Sequence, residues 1–278
     1  MSYKVYQMKG AKHEKPPFKL LYITHSEYDK GWHSTQHTHH FSELFYIVKG
    51  KGSFILADRE VPIKESDLVI INPNVEHTEK SNWDDSLEYI ALGIEGLFFS
   101  QADHKSPHSS LYRFQVDRTN ILFYLNRILE EIQEHKEGHE LICQNIIEIM
   151  IIKLQRDKKL TINQTESPNI NKASAFVMYY INQNYRDDLN LNKLAEIGHI
   201  NKYYLAHTFK KDMGISPIEY LNRVRIKEAK LMLETTDYSI AHIAAFTGFS
   251  SQSFFTQAFK RLTKQTPSKY RKEMRANS

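Results

Sequence analysis

Two spacings of apolar residues divide this chain. Between about residues 18 and 100 they come in short runs at 20–24, 43–48, 53–56, 68–71 and 87–92, rich in β-branched and aromatic side chains. Turn residues stand between the runs: Lys49-Gly-Lys-Gly, Ala57-Asp-Arg and Asn72-Pro-Asn. That pattern predicts strands joined by turns. Many short strands without intervening helices predict a sandwich or barrel. The period then becomes helical. Ile121, Leu122, Leu125, Ile128, Leu129 and Ile132 predict a helix capped by Asp117 or Thr119 and ended before Gly138. A second helix over 140–156 carries Leu141, Ile142, Ile146, Ile147, Met150, Ile151 and Leu154 on more than one face, which predicts that it is well buried. The two helices offer a surface for dimerisation, or simply a cover for the open side of the barrel. Residues 157–171 are polar, contain one Pro and show no period, so they read as a linker. Helical spacing resumes near Lys172.

The last hundred residues carry one pattern twice. Leu191/Ile240, Leu194/Ile243, Ala195/Ala244 and Ile200/Phe249 align at an offset of 49; Phe209/Phe259, Lys210/Lys260, Pro217/Pro267 and Tyr220/Tyr270 align at 50. Each copy reads as a helix, a sharp turn and a second helix, capped by Asn201 in the first and by Ser250 or Ser251 in the second. Between the copies Leu221, Val224, Ala229, Leu231, Met232 and Leu233 supply apolar faces for a long connecting helix. Successive major grooves on one face of B-DNA lie about 34 Å apart, so a double reader needs such a rigid spacer.

Charge supports that reading. Residues 172–278 hold 17 Lys/Arg and 9 Asp/Glu, a net +8, whereas residues 1–171 are net −4. Basic charge gathered in one part attracts a polyanion. A single cysteine, Cys143, excludes an internal disulfide framework and suits a reducing cytosol. The N-terminus has no signal-like apolar run and no stretch is long enough to span a membrane, so a cytoplasmic protein is expected. In the first repeat Leu205 and Phe209 face inward, leaving Lys202, Tyr203, Ala206 and His207 outward. In the second, Phe255, Ala258, Phe259 and Leu262 pack, leaving Gln252, Ser253, Thr256 and Gln257 free. Gln pairs with adenine in bidentate fashion, and Thr or Tyr meets thymine methyls or phosphates. Lys210 and Lys260 stand one turn on, placed for phosphates.

These residues resemble the AraC/XylS family of bacterial regulators. The resemblance rests on Arg225-Ile-x-x-Ala229-Lys-x-x-Leu233, Ser239-Ile240-x-x-Ile243-Ala244-x3-Gly248-Phe249-Ser250, Phe254, Phe259-Lys260, Thr266-Pro267 and Tyr270-Arg271, over roughly 172–275. It implies a seven-helix DNA-binding domain and gene activation or repression in response to a small molecule. One departure stands out. Gly214 follows the first recognition helix, but Lys264 stands where the family usually has Gly. A Lys at positive φ costs about 1 kcal/mol, unless the turn takes another geometry.

The N-terminal half carries a second resemblance. Gly31-x5-His37-Thr-His39-x3-Glu43-x6-Gly50 matches the first motif of the cupin superfamily, and Asp67-x5-Pro73-Asn-Val-Glu-His77 is similar to the second. His37, His39, Glu43 and His77 then occupy the four metal-ligand positions. Residues 37, 39 and 43 share parity, so on one continuous strand their side chains would share a face, with His77 arriving from a neighbour. Three imidazoles and a carboxylate suit Zn, Fe, Mn or Ni. The resemblance to the regulators' sensor domains favours the same residues as the polar lining of an effector pocket over a metal site, and structural or surface histidines are the third reading. His13, His25, His33 and His40 have no partner spacing and read as loop or surface residues; Phe45, Tyr46 and Phe54 read as core.

The expected architecture is multi-domain: a cupin/jelly-roll-like β-barrel plus two helices over 1–156, a linker over 157–171, and an all-α domain with two helix-turn-helix units over 172–278. The expected function is a ligand-responsive transcriptional regulator and not an enzyme. Its expected partners are double-stranded DNA, a small polar effector such as a sugar, a second copy of itself and RNA polymerase, with no membrane. No cofactor is required, though a divalent metal at His37, His39, Glu43 and His77 stays open. Two alternatives remain: a metal-dependent cupin enzyme fused to a DNA-binding domain, and an effector-independent DNA-binding dimer.

Overall fold

The structure is a computed structural model, described here for residues 4, 18–29, 34–101, 111–158, 160–164 and 170–276. His13, Gly31 and His33 lie outside the described residues. The N-terminal half is antiparallel: β1 (Lys19–Tyr28), β2 (Ser42–Leu56), β3 (Glu60–Lys64), β4 (Asp67–Ile71), β5 (His77–Ser81), β6 (Leu87–Glu95), β7 (Leu97–Gln101) and β8 (Leu111–Gln115). The main sheet runs β1-β6-β2-β4-β8, with β3 and β5 also on β2.

β2 corrects one expectation. The Lys49-Gly-Lys-Gly segment does not end a strand; β2 runs through it and changes partners. Its first half pairs with β4 and β6, its second half with β3 and β5. The register shifts between Ile47 and Lys49, and Gly50 has φ +87°. A Cβ there would sit 1.7 Å from the Ser86 carbonyl oxygen, so only glycine lets the strand bend against its neighbour.

Alternation along the strands builds two layers. Leu44, Tyr46, Leu68, Ile70, Ile90 and Leu92 face outward onto α1 (Arg118–Glu134) and α2 (His139–Lys158). Phe45, Ile47, Val69, Ile71, Tyr89 and Ala91, one residue out of step, face the barrel interior. Glu43 shares that inward parity. Phe45, Tyr46 and Phe54 are fully buried, as expected of core. Asp117 caps α1 by accepting from Asn120 N–H. α2 is less buried than its composition predicts. Cys143, Ile147, Met150, Ile151 and Leu154 are covered, whereas Leu141, Ile142, Ile149 and Ile152 are exposed. Within the segment read as a linker, Leu160–Gln164 form β9, antiparallel to β7.

Among the described residues the C-terminal half has seven helices: α3 (Lys172–Asn184), α4 (Leu191–Ile197), α5 (Lys202–Met213), α6 (Pro217–Thr235), α7 (Ile240–Phe246), α8 (Gln252–Thr263) and α9 (Pro267–Ala276). The repeat is visible in the lengths: α4 and α7 have 7 residues each, α5 and α8 have 12 each. Lys264 does take the left-handed conformation, at φ 66° beside 73° at Gly214, and each closes its helix with a backbone N–H. On α6, Leu221, Val224, Ala229, Met232 and Leu233 are buried, but Leu231 is 52% exposed and serves no core. The two units are not packed alike. Leu205, Phe209, Leu221 and Val224 of the first belong to the same apolar cluster as the barrel interior. The second has its own core around Ile243, Phe255, Phe259 and Tyr270.

Candidate functional site

His37, His39, Glu43 and His77 come together, but not as parity on one strand predicts. Only Glu43 lies on β2; His37 and His39 lie on the extended segment before it. His37 and His77 face each other across an isolated β-bridge, each accepting the other's backbone N–H. The four side chains are buried, and their ligand atoms all lie within 4.8 Å of one another.

Backbone carbonyls orient the three rings. Nδ1 lies 2.9 Å from the Thr35 oxygen in His37, 2.6 Å from Phe41 in His39 and 3.0 Å from Val75 in His77. A carbonyl only accepts, so each Nδ1 carries its hydrogen and each Nε2 turns inward. Nε2 of His39 is 2.6 Å and that of His77 is 3.2 Å from Oε2 of Glu43, while Nε2 of His37 has no hydrogen-bond partner. A neutral imidazole with hydrogen on Nδ1 would point a lone pair at the carboxylate. The geometry therefore demands positive charge between them, as a proton on each ring or as a cation.

The electrostatics follow. Burial disfavours the Glu43 charge, but His39 and His77 outweigh it and hold the carboxyl well below its usual range. Burial, the largest influence, lowers His77, but its hydrogen bond to Glu43 and the charges of Glu43 and Glu79 together outweigh it and raise it. Burial, aided by the nearby His77, drives His37 down to about 3. His37 is thus a neutral donor of an electron pair. Three inward Nε2 atoms, each ring fixed by a carbonyl, and one carboxylate fit a divalent transition metal. Bound there, such an ion would act as a Lewis acid toward an oxygen of a polar ligand.

The cluster is roofed by the C-terminal half. Tyr22 on β1 donates its hydroxyl to Oε1 of Glu43. The Tyr22 ring packs 5.1 Å from Tyr179 and 6.3 Å from Phe176, both on α3. Thr24 donates to the Tyr179 hydroxyl at 3.1 Å. Tyr220 on α6 is held up at about 12, mainly by burial and in part by the Glu43 charge. Sequence reasoning missed this roof, because aromatic residues on α3 and α6 look like ordinary core until their neighbours are known. His25 and His40, read as unpartnered, pair with Glu88 and Asn74 at 2.8 and 2.7 Å.

Seven of the ten DNA-reading candidates are exposed on α5 and α8. Asn201 caps α5 and Ser251 caps α8. Leu205, Phe209, Phe255 and Phe259 anchor the two helices at 0% exposure. Tyr203, His207, Lys210, Gln252, Ser253, Gln257 and Lys260 are exposed; Lys202, Ala206 and Thr256 are half-buried. Arg225, part of the family pattern, has a structural task. Its guanidinium donates to the carbonyls of Tyr185 (2.8 Å) and Asp187 (2.7 Å), fixing α6 to the end of α3. Gly248 in the second unit's turn meets the same place: a Cβ there would lie 2.8 Å from the Tyr185 oxygen and 2.7 Å from that of Arg186. Both units are therefore locked to one short segment, 185–187.

Comparison with known proteins agrees with this layout. Residues 20–148 match the AraC-like ligand binding domain, and residues 194–273 match a helix-turn-helix domain. The chain belongs to the AraC-type transcriptional regulators. It is 25% identical over 242 residues to the Msm operon regulatory protein of Streptococcus mutans, covering 84% of this chain and 85% of that one. It is 22% identical over 241 residues to the lactose operon transcription activator of Staphylococcus xylosus, covering 85% and 86%. Among solved structures, an apo form of a ToxT variant from Vibrio cholerae is 17% identical over 90% of this chain and 96% of that one, at a TM-score of 0.42. As an AraC-type regulator the chain carries a ligand-binding and a DNA-binding domain. No helix among the described residues is long and apolar enough to cross a membrane.

Proposed function

We propose that this regulator is effector-responsive: a small polar molecule, in the first instance a carbohydrate, acts in the barrel interior at His37, His39, Glu43 and His77 and resets how the barrel holds α3 and α6. The observation that carries this is the Tyr22 bridge, hydrogen-bonded to Glu43 and packed against Tyr179 and Phe176 of α3. An effector that favours one arrangement of that bridge shifts the DNA-binding domain by its differential affinity alone. The carbohydrate choice draws support from the relative named for a lactose operon. The protein works in the cytoplasm on double-stranded DNA as a homodimer, with RNA polymerase as its downstream partner. Melting curves of the full chain against a sugar panel, with DNA affinity measured alongside, test the reading. A ligand that raises the melting temperature and changes DNA affinity supports it; no response to any sugar removes the carbohydrate.

A divalent metal at the same cluster is the second reading, favoured by the inward Nε2 atoms and the unpartnered Nε2 of His37. Metal analysis of protein purified without added metal decides it. Stoichiometric Fe, Mn, Ni or Zn lost on His37→Ala supports the metal; metal-free protein that takes up none on dialysis rejects it.

A further inference from the structure

Several buried polar atoms of the barrel and of α3 have no hydrogen-bond partner among the described residues. On α3 they include Nδ2 of Asn182 and Nε2 of Gln183; on the barrel they include Oε1 of Glu79, Oγ1 of Thr35 and Nε2 of His37. Asn182 and Glu79 are 0% exposed and Gln183 is 8% exposed. Leaving such a group unpaired costs about 1–3 kcal/mol, so folded proteins rarely keep several together without an occupant.

Their neighbours place them around one interior. Oε1 of Gln183 accepts from the Tyr28 hydroxyl at 3.4 Å, and the Tyr28 ring lies 5.5 Å from Tyr89. The charge of Glu79 reaches Tyr28, Tyr89 and Tyr179. Oδ1 of Asn182 accepts from Tyr220 at 3.1 Å, and Tyr220 lies within the field of Glu43. The α3 wall thus offers amide donors. The barrel wall offers a carboxylate oxygen, a hydroxyl and the lone pair of His37.

We propose that the effector chamber is composite, with Asn182 and Gln183 of the DNA-binding domain donating hydrogen bonds to a small neutral hydroxylated molecule that donates in turn to Glu79 and His37. This rests on the effector reading above and adds that the DNA-binding domain touches the effector directly. A hydroxyl both accepts and donates, so it satisfies both walls. An anion would meet two buried carboxylates, Glu43 and Glu79. A cation would leave the amide donors unmet. A molecule held from both sides stabilises the docked arrangement without any intermediate linkage.

The test uses the full-length chain, a panel of pentoses, hexoses and disaccharides, and the near-isosteric variants Gln183→Met and Asn182→Leu. The expected result is a sugar that raises the melting temperature of the wild type and binds each variant about tenfold or more weakly. Without sugar the variants should melt modestly below the wild type, because each also loses the amide oxygen that accepts from Tyr28 or Tyr220; circular dichroism identifies either variant if it fails to fold. Sugar binding lost in Glu43→Gln but unchanged in both α3 variants overturns the composite chamber and leaves the effector reading standing. Variants that lower the sugar-free melting temperature yet keep full sugar affinity also overturn it, by assigning the amides a structural role. A wild type that binds no member of the panel overturns both.

Discussion

Lys227 of α6 forms an ion pair with Glu76 of the barrel, across 151 positions of sequence, and the same ammonium donates to the Gln36 carbonyl at 3.1 Å. Gln36 and Glu76 are the immediate neighbours of His37 and His77, which face each other across their bridge. The helix that joins the two DNA-reading units therefore rests on the loops carrying half of the buried cluster. Each partner is 46% exposed, so the pair contributes only about 0–1 kcal/mol to stability. Its importance is where it sits.

The first prediction follows. Lys227→Ala should leave the melting temperature nearly unchanged, a loss within about 1 kcal/mol. Amide hydrogen exchange should nevertheless quicken at residues 36–39 and 74–78, where the backbone bonds of His37, His77 and Asn74 close the loops. The same exchange in variant and wild type would show that Lys227 does not restrain them.

Part of this arrangement was legible in the sequence, and the reason is physical. Helix-turn-helix units are largely local: Phe209 and Phe259 repeat because each packs on a tyrosine eleven residues on, Tyr220 and Tyr270, so spacing alone revealed them. The cluster was legible as residue types, since His37, His39, Glu43 and His77 keep their motif spacing. Its geometry was not, because the His37–His77 bridge depends on a pairing 40 positions apart. The bend of β2 was hidden for a related reason. Lys49-Gly-Lys-Gly reads as a turn until the close approach of Ser86 shows why glycine is there. The roof of Tyr179 and Tyr220 was least legible of all. Whether a tyrosine is core or ceiling is decided by what lies opposite.

The second prediction separates two glycines at positive φ. Gly214, at 73°, has open space where a Cβ would stand, with nothing within 4 Å, so Gly214→Ala should cost only about 1 kcal/mol of backbone strain. Gly248, at 84°, would press a Cβ onto the carbonyls of Tyr185 and Arg186. Gly248→Ala should cost roughly 2–4 kcal/mol, because packed backbone must move as well. Lys264→Gly should stabilise the chain by about 0.5–1 kcal/mol, relieving the left-handed lysine. Urea unfolding of the three variants checks the order; equal losses at both glycines would refute the packing argument.

The third prediction concerns alkaline pH. Burial, first of all, pushes the phenols of Tyr185 and Tyr220 up to about 12. An unfolded tyrosine ionises near its ordinary value of about 10. Below that value both states keep the proton and the shift has no effect. Above it the unfolded chain binds fewer protons than the folded one, so stability falls as pH rises, from about 10 toward about 12. Tyrosinate absorbance should therefore appear in two phases, the second coinciding with loss of helical circular dichroism. A single phase complete before unfolding would contradict the burial of these hydroxyls.

The fourth prediction tests the exposed apolar face of α2. Ile142, Ile149 and Ile152 lie on it beside Leu141, which is 64% exposed. Residues 142 and 149 are seven apart, the spacing that lets one helix pack along another. Such a face is costly in water and is satisfied by a second copy. Ile149→Glu should convert a dimer to a monomer in light scattering while leaving the melting temperature of the barrel almost unchanged. A variant that stays dimeric would place the interface elsewhere.

The fifth prediction divides the reading surface by chemistry. Gln257 is exposed on α8 while Phe259, on the far side of the helix, is buried, and a side-chain amide so placed can pair with an adenine edge. Gln257→Ala should lose about 1–3 kcal/mol of discrimination at one base pair and leave nonspecific affinity nearly intact. Lys260 stands one turn on, exposed at the end of the same helix, and carries charge without a base-shaped fork. Lys260→Ala should weaken binding to every sequence and flatten the salt dependence by about one unit, the signature of a lost phosphate contact. Anisotropy titrations on selected and scrambled duplexes at several salt concentrations measure both effects. If Gln257→Ala kept its site preference, α8 would not be reading bases through that residue; if Lys260→Ala kept the salt slope, its ammonium would not lie on the backbone.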